Sequence, residues 1–295
     1  MERLHEPVLE SEVVELLEPS RGGLFVDCTV GLGGHARALL ASGATKLLGL
    51  DRDASALALA AESLTPWQDR VELVHADYRE LPSVLASRGI AAVDGALADL
   101  GVSSMQLDAP NRGFSFRRDE PLDMRMDQTT GPTAAQLVAD VDEVDLANVI
   151  FRYGEERFSR RIARAIVNAR QDAAIATTGR LAEIVRRAIP RQGYQRIDPA
   201  TRTFQALRIW VNRELEGLDA FLAGASRLLR AGARLAVITF HSLEDRIVKH
   251  AFRALAAGEE AIRVLTRKPV VPGDAEVARN PRARSAKLRA IERLI

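Results

Sequence analysis

The stretch Leu24-Phe-Val-Asp-Cys-Thr-Val-Gly-Leu-Gly-Gly-His35 constrains the fold most: a short apolar run ends on an acid, then breaks into three glycines before a helical pattern begins. It reads as strand, tight turn, helix. Gly31, Gly33 and Gly34 accept backbone angles closed to other residues and let a ligand approach the main chain. The N–H groups of a helix opening near His35 face that ligand. Gly31-x-Gly33-x-x-Ala36 also satisfies the dinucleotide fingerprint in its Gly/Ala form, with Asp51 at the spacing of a ribose-binding acid. The turn alone therefore admits NAD, and it leaves Asp27 without a reason.

The same pattern recurs downstream. Leu24–Asp27, Lys46–Asp51, Val71–Ala76 and Val93–Asp99 are strand-like, separated by helix-like segments from His35, Ala54 and Arg79. Gly43 is placed to stop the first helix and Pro66 to end the second helical region. Alternation of this kind predicts an α/β fold with a doubly wound parallel sheet. Each strand carries an aspartate at or just past its end: Asp27, Asp51, Asp77 and Asp99. In an open parallel sheet those ends line the ligand crevice. Four carboxylates there repel a pyrophosphate and suit a ligand carrying an ammonium, a sulfonium and a ribose diol, which favours S-adenosylmethionine over NAD. Taken one at a time, each aspartate fits a helix cap or a turn equally well.

After Asp99 the alternation stops. Leu100 to Thr133 is rich in turn formers and holds the run from Arg112 to Met126, expected as a lid or binding loop. Helical patterns follow at about Thr133–Ala139, Asp142–Phe151, Glu155–Arg170 and Gly179–Ile189, up to Pro190. The expected organisation is a sheet domain over 1–104 and 201–295, with an all-helical insertion over 105–200. The sheet domain resumes with one helix from about Thr203 to Leu229, stopped near Gly232, and a strand Arg234–Phe240. In the next segment, Ser242 and Asp245 have capping-box spacing. His241, at that strand's end, reads either as a substrate contact or as a histidine held by local hydrogen bonds. A last strand is expected around Ser285 to Ile291.

A chain of 295 residues can hold two cores, and 47% hydrophobic with 27% charged residues is ordinary for a soluble globular protein. No apolar run reaches membrane-span length, and charges interrupt the helical pattern of Met1–Ser20, so neither a membrane partner nor a signal peptide is expected. The lone Cys28 excludes an internal disulfide and points to the cytoplasm; no metal-ligand spacing is evident. The net charge of +1 conceals arginines crowded into Arg152–Arg213 and Arg279–Arg293. On the helix Glu155–Arg170, Phe158, Ile162, Ala165, Ile166 and Ala169 share one face, while Arg157, Arg160, Arg161 and Arg164 share the other. That row suits successive phosphates, and Tyr194 with Arg191, Arg196 and Arg202 suits unstacked RNA bases. Taken alone, the row is better accounted for as a solvated face balanced by Glu155 and Glu156; the basic tail and the Arg112–Arg125 loop favour nucleic acid.

The longer motifs sharpen this. Asp27-x-Thr-x-Gly-x-Gly-Gly-His35, Asp99-Leu-Gly-Val-Ser-Ser-Met-Gln-Leu-Asp108, Arg112-Gly-Phe-Ser-Phe116, Pro121-Leu-Asp-Met-Arg-Met126, Tyr153-Gly-Glu-Glu-Arg-Phe158, Phe240-His-Ser-Leu-Glu-Asp-Arg246 and Asn280-Pro-Arg-Ala-Arg-Ser285 occur in this order, after His5-Glu-Pro-Val-Leu9. With them the sequence closely resembles the bacterial small-subunit ribosomal RNA cytosine-N4 methyltransferases, the MraW or RsmH family. The resemblance implies a Rossmann-like methyltransferase sheet and S-adenosylmethionine held by Gly33, Gly34, His35, Asp51, Tyr78, Asp99 and Gln106. It also implies a target cytidine in the decoding region of ribosomal RNA, free or within a ribosomal particle. Tyr78 stands where the family often has phenylalanine. Asp198 stands where it usually has histidine, and no role is assigned there. The amino-methyltransferase signature of an acid or amide before two prolines and an aromatic is absent. Asp99-Leu-Gly-Val replaces it, making Asp99, or carbonyls of the Asp99–Val102 turn, the catalytic candidate. Two rivals stay open: an NAD-dependent oxidoreductase and a non-enzymatic RNA-binding assembly factor.

Overall fold

The computed structural model describes residues 7–190, 197–258 and 261–295. His5 of the first motif, and Arg191, Tyr194 and Arg196 of the expected RNA-facing group, lie outside them. The chain divides into two compact units, Met1–Gly101 with Leu215–Ile295, and Val102–Glu214.

In chain order, the first unit starts with α1 (Glu10–Leu17), β1 (Leu24–Asp27), α2 (Gly34–Ala41), β2 (Lys46–Asp51), α3 (Ala54–Ser63), β3 (Val71–His75), α4 (Leu81–Ala86) and β4 (Val93–Asp99). The second unit holds α5 (Ser104–Asp108), α6 (Ala134–Asp140), α7 (Glu143–Gly154), α8 (Ser159–Asp172), α9 (Thr178–Ala188) and α10 (Ala200–Asn212). The first is completed by α11 (Leu218–Arg227), β5 (Leu229–Thr239), α12 (Ser242–Ala257), β6 (Ile262–Val264), α13 (Asp274–Arg279) and β7 (Lys287–Arg293).

The seven strands run in the order β3-β2-β1-β4-β5-β7-β6, the first five parallel and β7 antiparallel to both neighbours. This is the doubly wound sheet expected from the sequence. Both faces are covered, so successive residues of one strand enter different cores. On β5, Leu235 and Val237 pack with Leu81, Phe221 and Phe252, while Ala236 and Ile238 pack with Val13, Leu39 and Ala60. The strands therefore read as continuous apolar runs without alternation. Strand order reverses between β1 and β4, which opens the crevice at their carboxyl ends.

Three expectations change. The helix over Thr203–Leu229 is two helices: Arg213 turns left-handed at φ 52° and Gly217 at φ 68°. Its first half, α10, buries Phe204 and Leu207 in the helical core, so that unit continues past residue 200 to Glu214. Second, the run from Arg112 to Met126 is core: Phe114, Leu122, Met124 and Met126 are buried with Leu146, Ile162 and Leu181. Arg112 is itself buried and donates to the carbonyls of Arg125 (3.2 Å) and Met126 (2.9 Å). Glycine, proline and charge around these apolar residues disguise them as a loop. Third, the cap of α12 is His241, whose Nδ1 accepts from Glu244 N–H at 3.4 Å, and not Ser242. Asp245 instead pairs with Lys287 (3.1 Å) and Arg289 (2.7 Å). The basic tail carries the last strand expected around Ser285 to Ile291, as β7, where Arg293 also donates to the carbonyls of Arg227 and Leu229. Strand β6 has no sequence signal, because three residues carry no period.

Candidate active site at the strand ends

Thr29 ties the ends of β1 and β4 together. Asp27 Oδ1 accepts from Thr29 N–H (3.2 Å), and Thr29 Oγ1 accepts from Asp99 N–H (2.6 Å). Asp51, at the end of β2, accepts from Gly31 N–H (2.8 Å) on one oxygen and from Asp53 N–H (2.9 Å) on the other. The glycine turn is thus strung between the acids of its own strand and of the next. Gly33 forms the N-cap of α2 at φ 81°, and a Cβ there would meet Ser63 Oγ at 2.7 Å. That glycine is required by the chain's own packing as well as by any ligand. A Cβ at Gly34 would touch Pro7 at 3.3 Å, whereas one at Gly31 would meet nothing nearer than a carbonyl at 3.8 Å.

His35 is buried on the first turn of α2, its Nε2 3.7 Å from Asp99 Oδ2. Asp27 Oδ2 and Asp99 Oδ1 are buried without a hydrogen-bond partner. Burial pushes the Asp27 carboxyl up to about 7; the Thr29 amide opposes this and the Asp51 charge adds to it. Asp99 is raised well above the carboxylate range by burial, then by the charges of Asp27 and Glu244. Even so, 24% of its side chain remains open. Asp51 is raised by burial against the two amides it accepts.

The fourth acid behaves differently. Asp77 forms a capping box for the single 3-10 turn at Tyr78–Glu80 and takes a bidentate contact from Arg79 (2.7 and 2.6 Å), with Arg52 at 3.4 Å. Burial would raise its pKa, but hydrogen bonds and charge from Arg79, aided by Arg52, hold it below the ordinary value. Three acids at the strand ends, not four, are held above the ordinary carboxylate range. Tyr78 is 8% exposed, its ring edge-on to Phe221 at 4.7 Å with the Arg79 guanidinium 5.6 Å from its centroid. Gln106 lies in the other unit on α5, where its carbonyl accepts from Ser103 N–H at 3.0 Å. Asp198 accepts from Ala200 N–H (2.9 Å) and pairs with Arg186 (2.8 Å), holding the start of α10.

Two contributors escape the sequence. Thr29 is legible there only as the middle of Asp27-x-Thr29. Glu244 is buried, accepts from Phe240 N–H (2.9 Å), and lies 3.2 Å from His241 Nε2; its motif is plain in the sequence, but its charge on Asp99 is not. His241 is therefore held locally, by its cap and by Glu244.

The model of the MraW methylase family matches residues 2–294. This chain belongs to the MraW methylase family. It is 53% identical to the ribosomal RNA small subunit methyltransferase H of Nitrobacter hamburgensis over 98% of this chain and 90% of that one. To the proteins of the same name from Geobacter sulfurreducens and Geotalea uraniireducens it is 51% and 48% identical, covering 98% of this chain and 99% and 98% of theirs. In this MraW methylase the orphaned Asp27 and Asp99 oxygens and the desolvated Asp51 suit a ligand that brings positive charge and ribose hydroxyls, as S-adenosylmethionine does.

Proposed function

We propose that this chain transfers the methyl group of S-adenosylmethionine to the exocyclic N4 amine of a cytidine in the decoding region of small-subunit ribosomal RNA. The observation that carries the reading is the Asp99 carboxyl: desolvated, incompletely paired and still open at the end of β4. The names of the relatives support ribosomal RNA as the substrate class. When bound, S-adenosylmethionine would supply a methyl on a cationic sulfur, the methyl being transferred without the S–C bonding pair, which stays on sulfur.

The chain's residues do the rest. Asp51, fixed by Gly31 and Asp53, accepts from ribose hydroxyls; Gly33 and Gly34 keep the mouth of α2 open; Tyr78 completes the cofactor set on the sheet unit. Asp27 and Asp99 are costly to ionise alone and become easier to ionise beside a cation. Cytosine N4 is a poor nucleophile because its lone pair is delocalised into the ring. The Asp99 carboxylate accepts its N–H, draws the nitrogen toward tetrahedral geometry, and takes the proton as the N–C bond forms and the S–C bond breaks. Thr29, through Asp99 N–H, and His35, beside Oδ2, hold that carboxyl in place. The target base has to leave its stack to reach the crevice. Buried acids at the strand ends disfavour a pyrophosphate, and family membership removes the ground for NAD.

The test is mass-spectrometric mapping of cytidines in small-subunit RNA, free and in particles, incubated with the chain and the cofactor. A single N4-methylcytidine is expected; absence of methyl transfer in every assembly state would sink the proposal.

A further inference from the structure

Within the helical unit, α8 and α9 enclose a groove of about 490 Å³. Its floor is Ala165, Ala169, Ile184 and Ala188, and its walls carry two arginines from each helix: Arg161 and Arg164 from α8, Arg180 and Arg187 from α9. Asn168 and Asp172 complete it. The alanines are what make it a groove, because larger side chains would fill the space between the helices. Most of the wall charge is exchangeable. Arg164 meets Glu143 at 3.3 Å, Arg180 meets Glu183 at 3.5 Å, and Arg187 also pairs with Glu183, all at the surface. Such pairs are worth about 0–1 kcal/mol and yield readily to a phosphate. Arg161 has no ion pair at all among the described residues.

Guanidinium groups bind phosphate bidentately, and an apolar floor between them accepts the flat face of a base. A base lies on such a floor only when it is unpaired, which selects a single strand over a duplex. We infer that the α8–α9 groove binds the backbone of a single-stranded segment of the RNA substrate, with phosphates on its arginines and a base on its alanine floor. The inference rests on the reading of ribosomal RNA as substrate. It also revises the row expected on α8: Arg161 and Arg164 face Arg180 and Arg187 across a cleft instead of belonging to a line on one helix.

The test measures binding of a short single-stranded RNA to the full chain by fluorescence anisotropy across a salt series. The variants are R161E/R187E and the milder R161A/R187A, each checked for an unchanged melting temperature. The control is K46E/R253E, an equal change of charge at exposed positions of the sheet unit. The groove variants are expected to lose affinity about tenfold or more at low salt. The alanine pair should flatten the salt slope by roughly 1.4, about 0.7 for each phosphate of a single strand that is no longer neutralised. The control should change affinity by less than about twofold, and S-adenosylmethionine binding should not change. Equal losses in groove and control variants, no loss in either, or displacement of the RNA by polyglutamate as effective as by unlabelled RNA would overturn the inference. Wild-type chain that binds RNA through the groove but transfers no methyl group would instead refute the proposed reaction and leave the groove standing.

Discussion

Asp27 sits at the centre of the site yet touches only Thr29 N–H, and its pKa of about 7 makes it the group that links pH to both folding and binding. An unfolded aspartate titrates near 4, so between about pH 4 and pH 7 the folded chain holds the extra proton. The stability it contributes is full at the acid end and is lost as pH rises through 7. Thermal unfolding of the ligand-free chain should therefore show Asp27→Asn gaining on wild type as pH climbs from about 5 to 8; parallel curves would exclude this role. A bound cation reverses the preference, so cofactor affinity should rise with pH across the same window, with proton release seen by calorimetry in buffers of different ionisation heat. For Asp99→Asn, methyl transfer should fall by roughly 10²–10⁴-fold, the usual weight of a positioned acid or base. Labelled-methyl assays read this directly, and an active variant would shift the chemistry to the backbone carbonyls of the Asp99–Val102 turn.

At the scale of elements, the turn into α2 depends on two neighbours, its own left-handed Gly33 and Ser63 at the end of α3. Gly33→Ala places a side chain at φ 81° and 2.7 Å from Ser63 Oγ. The left-handed conformation alone costs about 1–2 kcal/mol. The melting temperature should fall, and Ser63→Gly, which removes the blocking hydroxyl, should recover part of the loss; no recovery would mean that the backbone angle alone decides. In the helical unit, Asn212 plays the comparable part. Its Nδ2 donates to Met124 O (2.7 Å) and its Oδ1 accepts from Met126 N–H (2.8 Å), both in the buried Arg112–Met126 segment. Asn212→Ala leaves two buried backbone groups unpaired and should destabilise by roughly 2–4 kcal/mol in chemical denaturation.

Taken whole, the molecule has two units with their own cores, the helical one interrupting the sheet unit between Gly101 and Leu215. Separate cores unfold separately unless strongly coupled. Calorimetry should resolve two transitions, with saturating S-adenosylmethionine raising the sheet unit's by about 3 kcal/mol at 100 times its dissociation constant. A single two-state transition would contradict this.

The sequence alone determined the elements whose signals are local. The bounds of β1, β2 and β4 were legible to the residue, because apolar runs ending on acid and glycine have one economical reading as buried parallel strands. The apolar stripe of α8 with Ile162 and Ile166 was legible too, because helical period separates charge from core. Only the tertiary structure decided how each charge is used, since that depends on neighbours distant in sequence. Asp77 and Asp27 look alike at the ends of their strands, yet Arg79 and Arg52 neutralise the first, while the second is buried with the Thr29 amide and no cation among its influences. Likewise Arg112 reads as a surface cation in a loop but is enclosed by carbonyls 13 and 14 residues away, and Arg289 in the basic tail is spent on Asp245. Burial and pairing are long-range, and they decided which of the four acids can meet a cation and which arginines remain for RNA.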